Sequence, residues 1–138
     1  MRFGTKNNSQ PDTYFFDNSL SFHLAEGLRA FGEQVEWLRG YFPENTPDTI
    51  WIPEVAAKGW VALARDKKIR TRAAEMDALV RSGLTIFFFS QKTDPPDIWA
   101  WSELVVLRWR EMKEFAASHK RPFVAGIPGR RGRIKRLR

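Results

Sequence analysis

The chain has 138 residues, 43% of them apolar, and a formal net charge of +7. That length fits one domain with a single core, and the absence of cysteine excludes disulfides, thiolate metal sites and cysteine nucleophiles. No apolar run approaches a membrane span and the N-terminus carries no signal-peptide h-region, so a cytoplasmic protein with no membrane partner is expected.

Residues 1–12 are polar and rich in Asn, Ser and Gln, which predicts a flexible N-terminal segment ahead of a domain over 13–128. Thr13–Asp17 is a β-branched and aromatic run that stops at a carboxylate. It reads as a buried strand, with Asn18 or Ser19 capping the amphipathic helix that follows to Phe31, where Gly32 stops it. Val35–Leu38 is the second strand, and Gly40–Pro47 is a loop. Thr46 or Asp48 caps a helix to Lys58, which Pro53 either breaks or kinks. Trp60–Ala64 is the third strand, again running into an aspartate, Asp66. A helix over Thr71–Arg81 turns Met76, Leu79 and Val80 inward, and Leu84–Phe89 is apolar nearly throughout, as suits the interior of a parallel sheet. Thr93–Pro96 supplies a cap, most simply Asp94, for a long helix to His119. Its apolar rows are Ile98, Trp101, Val105, Trp109, Met112 and Phe115. Phe123–Ile127 adds an edge strand, and residues 129–138 are a basic tail, six Arg or Lys between Arg130 and Arg138. Strands alternating with helices predict a parallel α/β sheet with right-handed crossovers.

Ligands bind such sheets at the carboxyl edge, and that edge is where the acids gather. Asp17 and Asp66 end strands, while Asp48 opens a helix that follows a loop leaving the same rim. Glu54 lies about two turns further on, roughly 9 Å along the helix axis, and Asp97 could join the rim. Carboxylates held close repel one another unless a cation sits between them. Oxygen ligands without cysteine favour Mg2+ or Mn2+, ions that can align a water against a phosphodiester. Asp17 and Asp48 are equally ordinary helix-capping positions. Arg65, Lys67, Lys68, Arg70 and Arg72 flank Asp66 and would hold nucleic-acid phosphates, although a solvated charged face explains them nearly as well. His23 and His119 suit a helix face and a helix end, and Trp99, Trp101 and Trp109 fall at helical spacing that suits packing.

The segments Phe16–Leu20, Thr46–Ile52, Trp60–Ile69 and Gly83–Ser90, in that order, resemble the PIN-like domains allied to VapC toxins. The resemblance implies a three-layer α/β/α PIN-like fold around a mostly parallel sheet of roughly four to five strands. It implies a Mg2+- or Mn2+-dependent ribonuclease, commonly the toxin of a toxin–antitoxin pair. RNA would be the substrate, a cognate antitoxin the protein partner, and a homodimer a common assembly. Asp17, Asp48 and Asp66 match the family's first, middle and Arg-Asp acids, with Asn18 as a supporting group. No residue of Ser90–Asp94 matches a fourth acid. The other reading is a PIN-shaped module that grips nucleic acid or protein through its basic surface without cutting.

Overall fold

A computed structural model describes residues 11–65, 72–90 and 95–138. The strands are β1 (Tyr14–Phe16), β2 (Val35–Trp37), β3 (Val61–Arg65), β4 (Thr85–Phe89), β5 (Val124–Ile127) and β6 (Lys135–Arg136). They form one six-stranded sheet in the order β2-β1-β3-β4-β5-β6. The first five are parallel, and β6 runs antiparallel to β5. The sheet is therefore one strand wider than the sequence predicts. The added strand lies in the expected basic tail, where Ile134 is buried among core residues.

The helices are α1 (Phe22–Ala30), α2 (Asp48–Ala57), α3 (Ala73–Ser82) and α4 (Ile98–Ser118). Alternation along the strands splits the core in two. Phe16, Leu63, Phe87 and Phe89 pack with α1 and α4, whereas Phe15, Ala62, Ala64 and Phe88 pack with α2 and α3. Both faces are covered, which is why β4 can be buried at every position and apolar from Ile86 to Phe89. This is the three-layer α/β/α arrangement.

Helix boundaries differ from the sequence expectation where a different polar side chain wins the cap. Ser21, not Asn18 or Ser19, caps α1 by accepting from the His23 N–H at 3.1 Å. Asp97 caps α4 by accepting from the Ala100 N–H at 2.9 Å; Thr93 and Asp94 lie outside the described residues. α2 runs through Pro53 unbroken. Gly83 closes α3 in the left-handed region (φ 70°), a conformation costly for any residue with a Cβ. Val80 and Ile98, expected inside, are 56% and 50% exposed, while Leu104 and Ala116 complete the buried row of α4. Trp101 and Trp109 are buried, and Trp99 is exposed.

The crossovers do not all share one hand. From β1 to β2 the chain steps one way across the sheet over the α1 face. From β2 to β3 and from β3 to β4 it steps the other way over the opposite face, so these three connections have the same hand. From β4 to β5 it steps as from β3 to β4, yet α4 packs on the α1 face, so this crossover has the opposite hand. The right-handed rule follows from a twisted strand feeding a helix that packs back onto the sheet, and here α4 instead packs on the face that α1 covers. The reversal sets the amino end of α4 beside the loop that leaves β1.

Candidate active site

The strand order reverses direction at β1, whose neighbours are β2 on one side and β3 on the other. The helices that follow β1 and β3 pack on opposite faces of the sheet, and the carboxyl ends of these two strands flank a crevice, the usual ligand position in such sheets. Asp17 is the first residue beyond β1. Its N–H donates to the Leu63 carbonyl at 3.2 Å, extending the β1–β3 ladder by one step, so its carboxylate emerges where the ladder ends.

That carboxylate is only 8% exposed as a residue, and its orientation is fixed locally. Asp17 Oδ1 accepts from the Ser19 N–H at 2.9 Å and from the Ser19 hydroxyl in a short hydrogen bond. The same hydroxyl oxygen accepts from the Arg65 N–H at 2.9 Å. One serine thus ties the end of β1 to the end of β3. The Asn18 amide donates to the Glu44 carbonyl, drawing the loop between β2 and α2 to the same rim.

Above these groups lies a cavity of about 500 Å3. Among the described residues its lining includes Asp17, Asn18, Arg65, Asp97 and Trp101, with Arg39 at its margin. The Arg65 guanidinium lies 4.0 Å from the Trp101 ring centroid, a stacking that fixes the cation over the crevice. Its Nε is buried and has no hydrogen-bond partner among the described residues. Arg39 lies 5.1 Å from the Phe22 ring and pairs with Glu44 at 3.5 Å. The pocket combines the recessed Asp17 and the exposed Asp97 with held cations, a pattern suited to a phosphate ester approached by a metal ion.

The structure thus brings together Asp17, Asn18, Arg65 and Asp97, and separates others from them. Asp48 is the first residue of α2; its Oδ1 accepts from the Trp51 indole N–H at 2.8 Å, and it does not line this cavity. Glu54 is exposed on α2, and Arg72 is exposed at the start of α3, 3.6 Å from Glu75. Asp66, Lys67, Lys68 and Arg70 lie outside the described residues. Among the described residues no three His, Asp or Glu side chains gather as a metal site. Asp17 and Asp97 therefore suit a hard divalent ion in chemistry and fall short in number without a further ligand. Sequence reasoning missed Ser19 as the clamp and Trp101 as the platform. The first was signalled by the Asp-x-Ser spacing, whose short side chains bond backbone two residues on. The second had no local signal.

A three-layer α/β protein with a carboxylate pocket at its topological switch point belongs to a class that binds ligands at the sheet's carboxyl edge. The chain is a member of the PIN-like domain family, whose model matches residues 13–91, more than half of its length. The matched segment runs from the residue before β1 to just beyond β4, and α4, β5 and β6 lie outside it. No curated protein and no solved structure matches the chain significantly.

Proposed function

We propose that this protein is a divalent-metal-dependent endoribonuclease working at the β1/β3 crevice. The observation that carries the reading is the buried Asp17 carboxylate, clamped by Ser19 in a pocket shared with Asp97 and the stacked Arg65 guanidinium. Family membership supports it, since PIN-like domains are generally nucleases. Asp17 and Asp66, with Asp97 as a further carboxylate, are the residues that would hold Mg2+ or Mn2+. A bound ion would supply Lewis acidity toward the phosphate and a more acidic water. Arg65 would hold a non-bridging phosphate oxygen, and its stacking on Trp101 spares the entropy of ordering a free side chain. In the overall hydrolysis water adds to phosphorus, the ester P–O bond breaks, and the departing oxygen takes a proton. Asp48, turned to Trp51, would act by holding the start of α2.

The assay is RNA cleavage with Mg2+ or Mn2+ by wild type, Asp17→Asn and Asp66→Asn. Loss of cleavage in both variants is expected; equal cleavage by all three overturns the assignment. We further propose a cytoplasmic toxin role with a cognate antitoxin and homodimeric assembly. Growth arrest on induction, relieved by the product of a neighbouring gene, is the expected sign, and unrestricted growth opposes it.

A second reading has its own support, because no three acids gather among the described residues. A PIN-shaped module that binds nucleic acid without cutting it would retain salt-sensitive binding in the Asp17→Asn variant and show no metal-dependent cleavage in wild type.

A further inference from the structure

Beyond the family-matched segment, the chain builds a second concavity on the same rim. The loop over 128–133 leaves the carboxyl end of β5, and β1 to β5 are parallel, so this loop stands on the edge that carries Asp17. Between it and the first turns of α4 is a cavity of about 610 Å3, within the roughly 300–1,000 Å3 usual for ligand sites. Its floor is apolar, made by Pro95, Pro96, Leu104 and Pro128, and Arg130 and Arg131 form its lip. Pro95 and Pro96 also line the cavity over Asp17, so the two concavities are the two sides of one proline ridge.

The loop is held in shape from beneath. Arg108 on α4 is 6% exposed, and its guanidinium donates to the Gly132 carbonyl at 2.5 Å and to the Arg130 carbonyl at 3.5 Å. Gly132 has a φ of 90°, and a Cβ there would meet Pro128 Cγ at 3.0 Å, so the turn closes only around glycine. With those carbonyls drawn inward, the side chains of Arg130 and Arg131 are left exposed. Arg130 pairs with Glu103, while Arg131 makes no ion pair among the described residues.

We propose that this cavity is a second subsite for a single-stranded polynucleotide whose neighbouring phosphate lies in the Asp17 crevice. An unstacked base or ribose would rest on the prolines and Leu104, and Arg131, with Arg130, would hold the adjoining phosphate. Apolar floor and cationic lip together match that ligand, because a single strand offers an unpaired base face to apolar packing and a phosphate to the positive charge beside it. A duplex keeps its bases paired and cannot lay one in the recess. The inference rests on the carboxyl rim being the nucleic-acid face, as in the nuclease reading.

The test uses the full chain in EDTA and fluorescence anisotropy with a length series of labelled oligouridylates. Wild type should tighten abruptly once the strand is long enough to cross the ridge. Arg131→Glu should remove that step and weaken long strands roughly tenfold or more, the worth of one charge-assisted phosphate contact. Arg131→Ala should lower the log–log salt slope by about 0.7, and Arg131→Lys should restore it. Arg131→Glu binding like wild type at every length, or wild type binding duplex as tightly as single strands, overturns the proposal. Cleavage with Mn2+ is read separately. Wild-type cleavage with unchanged Arg131→Glu binding removes the subsite and leaves the nuclease, whereas Arg131-dependent binding without cleavage does the reverse.

Discussion

At Ser19 a single oxygen joins two strands, donating to Asp17 and accepting from the backbone of Arg65. Ser19→Ala leaves a peptide N–H and a recessed carboxylate short of a partner, which costs about 1–3 kcal/mol. A thermal melt should show that loss, and cleavage by the variant should fall further than its stability accounts for, because the Asp17 carboxylate loses its orientation. Glu33 offers a pH-dependent test. The Lys113 ammonium, 2.8 Å away, and then the Trp109 indole N–H at 2.9 Å hold its carboxyl below the usual glutamate range. A carboxylate with a lowered folded pKa stabilises above its unfolded value and loses that contribution as pH falls through the folded one. Glu33→Gln should therefore lower the melting temperature at neutral pH, and the gap to wild type should close as the solution becomes more acidic than the ordinary glutamate range.

Among the elements, α4 carries the most. It presents seven buried residues along 21 and brings Asp97 and Trp101 to the crevice. Asp97 serves both as cap and as a pocket carboxylate, and two substitutions separate these roles. Asn caps as well as Asp does, so Asp97→Asn should keep the melting temperature and lose cleavage if the carboxylate takes part in the chemistry. Asp97→Ala should also lose about 1 kcal/mol of stability. Circular dichroism melts beside RNA cleavage read the two outcomes. The type and order of the elements were legible because β4 is a short, nearly unbroken apolar run and the apolar rows of α1 and α4 recur every three to four residues. Their ends were not. Three side chains, Asn18, Ser19 and Ser21, competed for one cap, and a local bond to Asp17 with a long-range one from Arg65 took Ser19 away from it. The hand of the β4–α4–β5 crossover was likewise invisible, since it depends on which face accommodates a helix of about 31 Å.

For the molecule as a whole, the C-terminal segment is where the structure adds most to the sequence, a two-residue strand within the basic run. A run of six cations reads as a tail. What makes it a strand is one buried arginine on α4 and one buried Ile134, neither distinguishable by composition. Arg108→Met keeps much of the volume and removes the donors to Gly132 and Arg130. The backbone bond from the Leu137 N–H to the Val124 carbonyl, 2.6 Å, should then exchange its hydrogen faster, while amides of β3 and β4 stay protected. The candidate site was half legible: Asp17 followed from its place after a strand, but nothing local announced that Asp48 would turn to Trp51 or that Trp101 would lie under Arg65. The sheet's two borders carry a further consequence. On β2 the Gln34 carbonyl faces inward to Tyr14, and Arg29 covers the outward Val35 carbonyl at 2.8 Å; the other border is a two-residue strand of Lys135 and Arg136. A neighbouring molecule that tried to continue the ladder would meet an occupied acceptor on one side and two exposed cationic residues on the other. Borders of this kind disfavour edge-to-edge pairing between copies, although the sheet's interior is rich in aromatic and branched side chains.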